Sequence, residues 1–219
     1  SFVDPTIMMA GETGGQIDIF YDFAKETALG GKYGTKLAVN LSSWYNLPGS
    51  YRFNPAQYDD NFFGVGQKYF SDYNIEVKKQ LSESWHTAFS YIKQYYNKEW
   101  LQGGEEVNTN ILIAEATYNF TPSKSIRVEG EHMWADADFK NWAGGTVELN
   151  LNDKYSFYVW DIMNYGNDDE NRRIHYYNVG GAYRIGATRV ALNYGRQRGG
   201  LVCVGGVCRF VPESTGLSL

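Results

Sequence analysis

Long segments in which apolar and polar residues alternate with a period of two recur along most of this chain. Over 69–81, for example, Ile75 and Val77 alternate with Glu76 and Lys78. Successive side chains of a β-strand point to opposite faces, so this pattern predicts strands with one apolar and one polar face. Many of the segments run to about 10–12 residues, whereas a typical soluble strand has about 5–6 and a strand that crosses a bilayer needs about 9–11. The sequence therefore predicts an all-β protein whose strands are long enough to cross a membrane.

The connections between these segments alternate between short and long. Three hairpins close through small turns, and longer polar connectors such as 166–173 separate them. The predicted hairpins are 110–121 with 125–135, 145–151 with 154–165, and 174–185 with 187–198. Tight turns at one end of the strands and larger loops at the other are typical of transmembrane barrels. We therefore expect residues 1–219 to form one domain, a transmembrane antiparallel up-and-down β-barrel of which about 10–12 strands are visible, with an irregular connector over 46–68.

Composition agrees with a membrane barrel and argues against several other classes. Aromatic residues make up 16% of the chain, including 18 tyrosines, and mean hydropathy is -0.46. A barrel can have such a low value because only every second strand residue faces lipid. No run approaches the roughly 20 apolar residues that a membrane helix needs. The net charge of -5 argues against nucleic acid as a partner, since phosphate binding needs a basic face.

Charged residues recur on the polar faces of the predicted strands. Near the middle of a bilayer, Lys or Arg on a lipid-facing position costs about 2–4 kcal/mol, so these side chains are expected to face the lumen. Both signs occur, which leaves two alternatives. One is an interior ion-pair network that stiffens a narrow or plugged barrel, and the other is a charged pore lining that selects solutes. The predicted lumen-facing residues are Glu76, Lys78, Glu115, Arg127, Glu129, Glu131, Glu148, Arg184 and Arg189.

Large aromatic residues collect near the ends of the predicted strands. Aromatic girdles at the two membrane interfaces have this distribution, whereas the aromatics of a soluble β-sandwich core spread through the strand centres. The candidate interfacial residues are Trp44, Trp85, Tyr95, Trp100, Trp134 and Trp142.

The chain contains two cysteines, Cys203 and Cys208, which lie close together in the sequence. Gly205 and Gly206 between them supply the positive φ values of a tight hairpin turn, which would bring the sulfurs together. An oxidising envelope compartment would preserve a disulfide bond there. A metal or redox pair and a reduced, inert pair are the alternatives.

No motif points to catalysis or to a cofactor. The three histidines lie on separate strands without metal-ligand spacing, so no metal site is expected. Ser84 and Ser90 share a predicted strand face with His86, but no nucleophile motif accompanies them. The sequence therefore predicts a protein that is not an enzyme, with an outer-membrane hydrolase as the third-ranked hypothesis.

Two segments carry a resemblance to a known family. The stretch 198–212, which contains Gly-Gly-Leu-Val-Cys-Val-Gly-Gly-Val-Cys-Arg-Phe-Val-Pro, resembles the C-terminal segment of an uncharacterised family of Bacteroidota outer-membrane β-barrel proteins. The glycine-rich stretch 30–40 is similar to a segment of the same family. The resemblance implies a β-barrel in the outer membrane and no particular reaction. It also implies a last strand that this chain stops short of, so we expect part of a larger barrel that lacks N-terminal strands and the last strand.

The predicted function follows from this architecture. We expect a bacterial outer-membrane protein that either passes small solutes like a porin or forms a structural component of an outer-membrane complex. Its expected partners are outer-membrane lipid and, through the long loops, other outer-membrane proteins or surface lipoproteins. The alternative from another class is a secreted soluble β-sandwich that binds carbohydrate through exposed aromatic residues.

Overall fold

The computed structural model of the chain describes residues 11–53, 55–98, 104–204 and 207–218, and these are almost entirely β-structure. A short 3-10 helix at Glu170–Arg172 interrupts the loop before the eleventh strand. The strands are Glu12–Phe23 (β1), Thr35–Asn46 (β2), Gly49–Phe53 (β3), Ala56–Asp60 (β4), Lys68–Gln80 (β5), Trp85–Asn97 (β6), Glu106–Thr121 (β7), Lys124–Ala135 (β8), Trp142–Asn150 (β9), Tyr155–Met163 (β10), His175–Ile185 (β11), Thr188–Gln197 (β12), Gly200–Val204 (β13), Val207–Val211 (β14) and Ser214–Ser218 (β15).

Eleven of these strands form one antiparallel sheet in which neighbours along the chain are neighbours in space. Its order is β1-β2-β5-β6-β7-β8-β9-β10-β11-β12-β15, and β3-β4 and β13-β14 are separate two-stranded hairpins. The prediction of an all-β, up-and-down antiparallel fold is therefore confirmed. Strands β1 and β15 end this order, and no hydrogen-bonded pairing joins them within the described part of the chain.

Turn chemistry explains why the hairpins close where they do. Between β11 and β12, Ile185 pairs with Thr188, which leaves Gly186 and Ala187 as a two-residue turn. Gly186 has φ of +56°, the conformation that a type II′ turn requires at its first central position and that glycine adopts without steric cost. Between β9 and β10, the Asn152 side chain accepts hydrogen bonds from two backbone amides and fixes the reversal.

The connections on the other side of the hairpins are longer, at 47–67, 98–105, 136–141, 164–174 and 198–213. The predicted alternation of short and long connections is therefore present from β5 onward. The prediction of an irregular connector over 46–68 is wrong in part, because Gly49–Phe53 pairs with Ala56–Asp60 there. Pro55 lies between these two short strands, so the Pro- and Asn-rich composition that predicted a loop marks a hairpin turn instead.

Contacts divide the chain into two compact units. Unit 1 comprises Ser1–Lys78, Phe89–Leu112 and Met133–Lys140, and unit 2 comprises Lys79–Ala88, Ile113–His132 and Asn141–Leu219. The expectation of one domain over residues 1–219 stays a prediction.

Buried side chains of each unit lie near the long connections instead of at the strand centres. In unit 1 the buried apolar residues are Leu47, Tyr69 and Val107, all at or beside the end of a strand. In unit 2 they are Trp142, which begins β9, and Tyr176, near the start of β11. Among the residues whose burial the structure describes, the apolar strand centres of neither unit are buried, whereas such centres fill the core of a β-sandwich.

Candidate functional site: the charged polar face

Strand register sorts the side chains of unit 2 into apolar and polar rows that run across the sheet. One row crosses five adjacent strands with every member apolar, and its side chains are 38, 47, 50, 43 and 73% exposed in strand order. This apolar row is Val147, Val159, Val179, Tyr194 and Leu217. One residue away on each strand, the neighbouring row projects to the opposite face and carries no aliphatic side chain. This polar row is Glu148, Tyr158, Gly180, Asn193 and Ser218.

Arg127 on β8 is the centre of the most highly charged cluster on the polar face. Its Nε and Nη2 donate to the two carboxylate oxygens of Glu148 on β9, both at 2.9 Å. Its Nη1 donates to Glu115 on β7 at 2.7 Å and to Glu129 on its own strand at 2.8 Å. The planar guanidinium thereby uses its forked donors on three carboxylates from three adjacent strands. One cation among three anions leaves this cluster with an excess of negative charge.

Glu131, two residues beyond Glu129 on the same face, extends the acidic side of this cluster. Its Oε1 lies 3.0 Å from the position that a Cβ at Gly144 would occupy. A larger residue at 144 would therefore crowd this carboxylate, so glycine there leaves room for it. Four of the predicted lumen-facing residues thus form one hydrogen-bonded cluster, and Glu131 lies beside it.

The remaining predicted polar residues lie elsewhere. In unit 1, Glu76 and Lys78 form an ion pair of 2.8 Å along β5, and the lysine side chain is largely exposed. In unit 2, Arg184 and Arg189 face each other across the β11–β12 hairpin and are exposed. Sequence alternation therefore did not show which of these residues come together, and their orientation toward a lumen stays a prediction.

The predicted interfacial aromatics occupy several different environments. Trp85 and Trp134 are exposed at the ends of their strands, as an interfacial position requires. Tyr95 is half-buried, with the Lys68 ammonium 4.1 Å from its ring centroid. Trp100 lies outside the described residues.

Two tryptophans of that set, one in each unit, lie on the polar sides of their own strands. Trp142 is only 7% exposed, stacks on Tyr176 with 6.2 Å between ring centroids, and has the Arg198 guanidinium 4.6 Å from its ring. Trp44 is opposite Gly14 in the β1–β2 register and covers it, since a Cβ there would lie 2.7 Å from the indole. Each ring thus fills space on the polar side of its own strand and is not among the exposed aromatic residues.

Strands β13 and β14 form the predicted cysteine hairpin. Their backbone register places Cys203 directly opposite Cys208, with Val204 and Val207 flanking the turn. The turn residues 205 and 206 and the two cysteine side chains lie outside the described part of the structure. The disulfide bond therefore stays a prediction.

Several polar residues of the sheet were missed by sequence reasoning. In unit 2, the Tyr158 hydroxyl donates to the Asn178 side chain at 2.8 Å. Strand β10 is apolar on both faces apart from Ser156 and Asp161, so its alternation gave no signal for this pair. In unit 1, Asn40 donates to Asp18 at 2.5 Å across β1 and β2. The alternation of polar and apolar residues in these two strands could have shown that both side chains lie on the polar sides of their strands.

Hydrogen bonds also order the loops beyond the strand ends. In unit 1, Asp136 accepts from the backbone amide and from the side-chain amide of Asn108, both at 2.9 Å. The backbone bond, followed by the side-chain bond, holds the pKa of Asp136 below its ordinary value despite the opposing effect of burial. Nearby, Asp138 pairs with Lys98 at 2.5 Å. These carboxylates are therefore engaged with neighbouring side chains.

Two further findings bear on the chemistry available to the chain. Within the described ranges, no group of three or more His, Cys, Asp and Glu side chains is arranged to hold a metal ion. None of the helical segments in the part that the structure describes is long and apolar enough to span a bilayer.

Fold and site together define an all-β protein whose antiparallel sheet has an exposed apolar face and a hydrogen-bonded, charged polar face. The chain belongs to a family of unknown function (DUF6029), whose model matches residues 5–219. Comparison with curated proteins and with solved structures gave no match. The family match covers far more of the chain than the glycine and cysteine segments, but its description states neither a location nor an activity.

Proposed function

We propose that this chain spans a bacterial outer membrane as part of a β-barrel, with its apolar rows against lipid. The observation that carries the proposal is the exposed row from Val147 on β9 to Leu217 on β15. Soluble monomers rarely expose a contiguous apolar patch larger than a few hundred Å², and larger patches mark contacts with membranes or proteins. A row of this kind on five consecutive strands fits a surface that meets hydrocarbon.

Strand length supports a bilayer more than a soluble partner. Strands β9 and β10 have 9 residues each, β12 has 10 and β11 has 11. These lengths agree with the roughly 9–11 residues that a tilted strand needs to cross the hydrocarbon layer. The alternation of tight turns and longer loops from β5 onward has the form of bacterial outer-membrane barrels. We include closure of the sheet into a barrel in the proposal.

The polar face supports an aqueous interior with porin-like passage of small solutes. Its residues include the Arg127 cluster and the uncharged side chains of Asn150, Ser156 and Asn193, which suit contact with water. Ser156 and Asn150 pair across β9 and β10, so the polar character continues toward the short turns. Passage of solutes needs no catalytic group, and we propose no enzymatic activity.

A second candidate function is a structural component of an outer-membrane complex, and the Arg127 cluster favours it. Three of the four hydrogen bonds that this guanidinium makes go to carboxylates of neighbouring strands and the fourth goes to Glu129 on its own strand, which suits an interior held rigid by its own ion pairs. A structural role would also explain the exposed aromatic residues of the loop after β4, where Phe62 and Phe63 are 73 and 91% exposed. Such a loop offers apolar contacts to other outer-membrane proteins or to surface lipoproteins.

Two measurements test the membrane assignment and separate the two functions. Gel migration of the membrane fraction before and after heating reports on closure, because a closed barrel unfolds only on heating and then migrates differently. Conductance across planar bilayers that contain the purified protein then reports on passage. Stable open channels support the porin-like function, whereas heat-modifiable protein without channels supports the structural one.

One outcome would overturn the membrane proposal itself. If the protein is monodisperse in buffer without detergent, its apolar face does not need lipid. The exposed aromatic residues would then favour the soluble carbohydrate-binding β-sandwich, which binding to immobilised polysaccharides would test.

A further inference from the structure

Two arginines of the polar face lie side by side near the tight turns of unit 2. Arg184 on β11 is directly opposite Arg189 on β12. The backbone amide of Arg184 donates at 2.8 Å to the carbonyl of Lys154, the residue just before β10, so this amide points away from β12. The two arginines are therefore a non-hydrogen-bonded pair, the arrangement in which cross-strand side chains come closest.

Within the part of the chain that the structure describes, neither Arg184 nor Arg189 forms an ion pair with a carboxylate, although other arginines of unit 2 pair with Glu or Asp. Like charges directly opposite each other destabilise a sheet. An unneutralised pair at this position is thus unfavourable for the empty protein, and a bound anion would relieve the repulsion.

Both arginines line one cleft of about 450 Å³ at this end of the sheet. Ser156 and Ala182 have small side chains, which leave space above the strands beside the guanidinium groups. Ser125 and Asn150 add hydrogen-bond donors, and their side chains are already oriented by a bond of 3.2 Å between them. The cleft therefore combines room, donors and positive charge.

The charge of the lining decides which ligand fits. The cleft is lined by three cationic side chains, those of Lys154, Arg184 and Arg189, and by one carboxylate, that of Asp153. Its formal charge is therefore positive, in a chain whose net charge is -5. Each guanidinium presents a planar fork of donors that matches two oxygens of an oxyanion. Two forks on adjacent strands can be filled together by a dianion with more than two acceptor oxygens, whereas one carboxylate would occupy a single fork.

We propose that this cleft is a binding site for a phosphate group, carried by a small solute or by a lipid headgroup. The Arg184 and Arg189 guanidinium groups hold the phosphate oxygens, and Lys154 supplies further positive charge. Ser125 and Asn150 donate to the remaining oxygens. This binding does not depend on an open passage, so the site can be tested whatever the outcome of the conductance measurement.

The test is isothermal titration calorimetry of the full chain, folded in a non-ionic detergent, with inorganic phosphate as the ligand. We expect saturable binding at one site, weakened at least tenfold by Arg184→Gln and by Arg189→Gln. The matched control is Arg172→Gln, which removes one positive charge from an exposed loop position of the same unit. Affinity for phosphate should be unchanged in this control.

Stability measurements show whether the cleft variants still fold. In chloride buffer without phosphate, Arg189→Gln should unfold at the same temperature as the parent or higher, because it removes a like-charge contact. Added phosphate should raise the unfolding temperature of the parent and not that of Arg189→Gln. Equal responses of parent and variant to phosphate would overturn the proposal, as would equal loss of affinity in Arg172→Gln.

A competition arm distinguishes the two sources of the phosphate group. Micelles that contain phosphatidic acid, a lipid whose headgroup is a phosphomonoester, are added to the phosphate-bound protein, with phosphatidylcholine micelles as the control for lipid without net charge. Displacement of phosphate only by phosphatidic acid assigns the site to a lipid headgroup. Retention of phosphate in the presence of either kind of micelle assigns the site to a soluble phosphate. If the parent protein shows no saturable binding of phosphate, the proposed site is refuted.

Discussion

A single charge placed in the middle of the apolar row tests the proposed lipid-facing surface most directly. Val147 lies near the centre of β9, pairs with Val159 on β10, and is 38% exposed. The adjacent Thr146 projects to the polar face, where it shares a side of the strand with Glu148. Replacing each with arginine removes a β-branched residue from the same strand and adds the same charge, so the loss of β-propensity is similar in the two variants.

The two environments predict different energies for these substitutions. If Val147 faces lipid near the bilayer centre, Val147→Arg should destabilise the folded protein by about 2–4 kcal/mol. That range corresponds to a change of roughly 30- to 900-fold in the folding equilibrium constant. If the same side chain faces water, a surface substitution should change stability by about 0.5 kcal/mol. Thr146→Arg should stay within about 1 kcal/mol of the parent, because Glu148 lies on the same face and attracts the new charge.

Reversible urea unfolding in phospholipid vesicles, followed by tryptophan fluorescence, gives the free energy of each variant. The difference between Val147→Arg and Thr146→Arg is the decisive quantity, since effects of charge and strand propensity largely cancel in it. We expect Val147→Arg to be less stable than Thr146→Arg by at least about 1 kcal/mol. Equal stability of the two variants, or greater loss in Thr146→Arg, would refute the assignment of this face to lipid.

Three further predictions concern the charged cluster, a loop carboxylate and the cysteines. Arg127→Gln leaves its three glutamates without a cation and should cost about 1–3 kcal/mol, a value reduced for partial exposure, whereas the exposed-pair control Lys78→Gln should cost less than about 1 kcal/mol. Equal losses in urea titrations would contradict this. The pKa of Asp136 is lowered by folding, so its contribution is present above about pH 4 and is lost as pH falls through the folded pKa. When the pH is lowered from neutral to below pH 4, the free energy of unfolding should therefore fall less in Asp136→Asn than in the parent. Finally, Cys203 and Cys208 should form a disulfide in protein isolated from the envelope, so its intact mass should rise by two hydrogens only after reduction, and an unchanged mass would exclude the bond.

Much of the sheet was predictable from the alternation of apolar and polar residues, because the physical cause of that alternation is local. Each strand must divide its side chains between an apolar and a polar environment, and the period of two records that division residue by residue. Strand β5, predicted over 69–81, spans Lys68–Gln80 in the structure. The limit appears at β10, where both faces are apolar, because a local pattern cannot show that Tyr158 meets Asn178 on the neighbouring strand.

The charged cluster was predictable only as a set of residues. Sequence spacing placed Arg127 and Glu129 on one face of β8, since they are two positions apart. It did not place Glu148 opposite Arg127, because that contact depends on how β8 and β9 are aligned. Alignment depends on the whole sheet and on the turns that connect its strands. Trp142 shows the same limit, because its position at a strand end does not reveal the stacking partner that buries it.

The Arg127 cluster and the apolar row favour the same alignment of strands β8 and β9. A slip of one residue between β8 and β9 would turn Glu148 toward the apolar face and Val147 toward Arg127. Both changes are unfavourable, since one exposes a charge to hydrocarbon and the other removes the bidentate partner of the guanidinium. The ion pairs therefore specify register whether the interior is open or filled. Because the cluster fixes register in both cases, conductance is the measurement that separates a porin from a structural barrel.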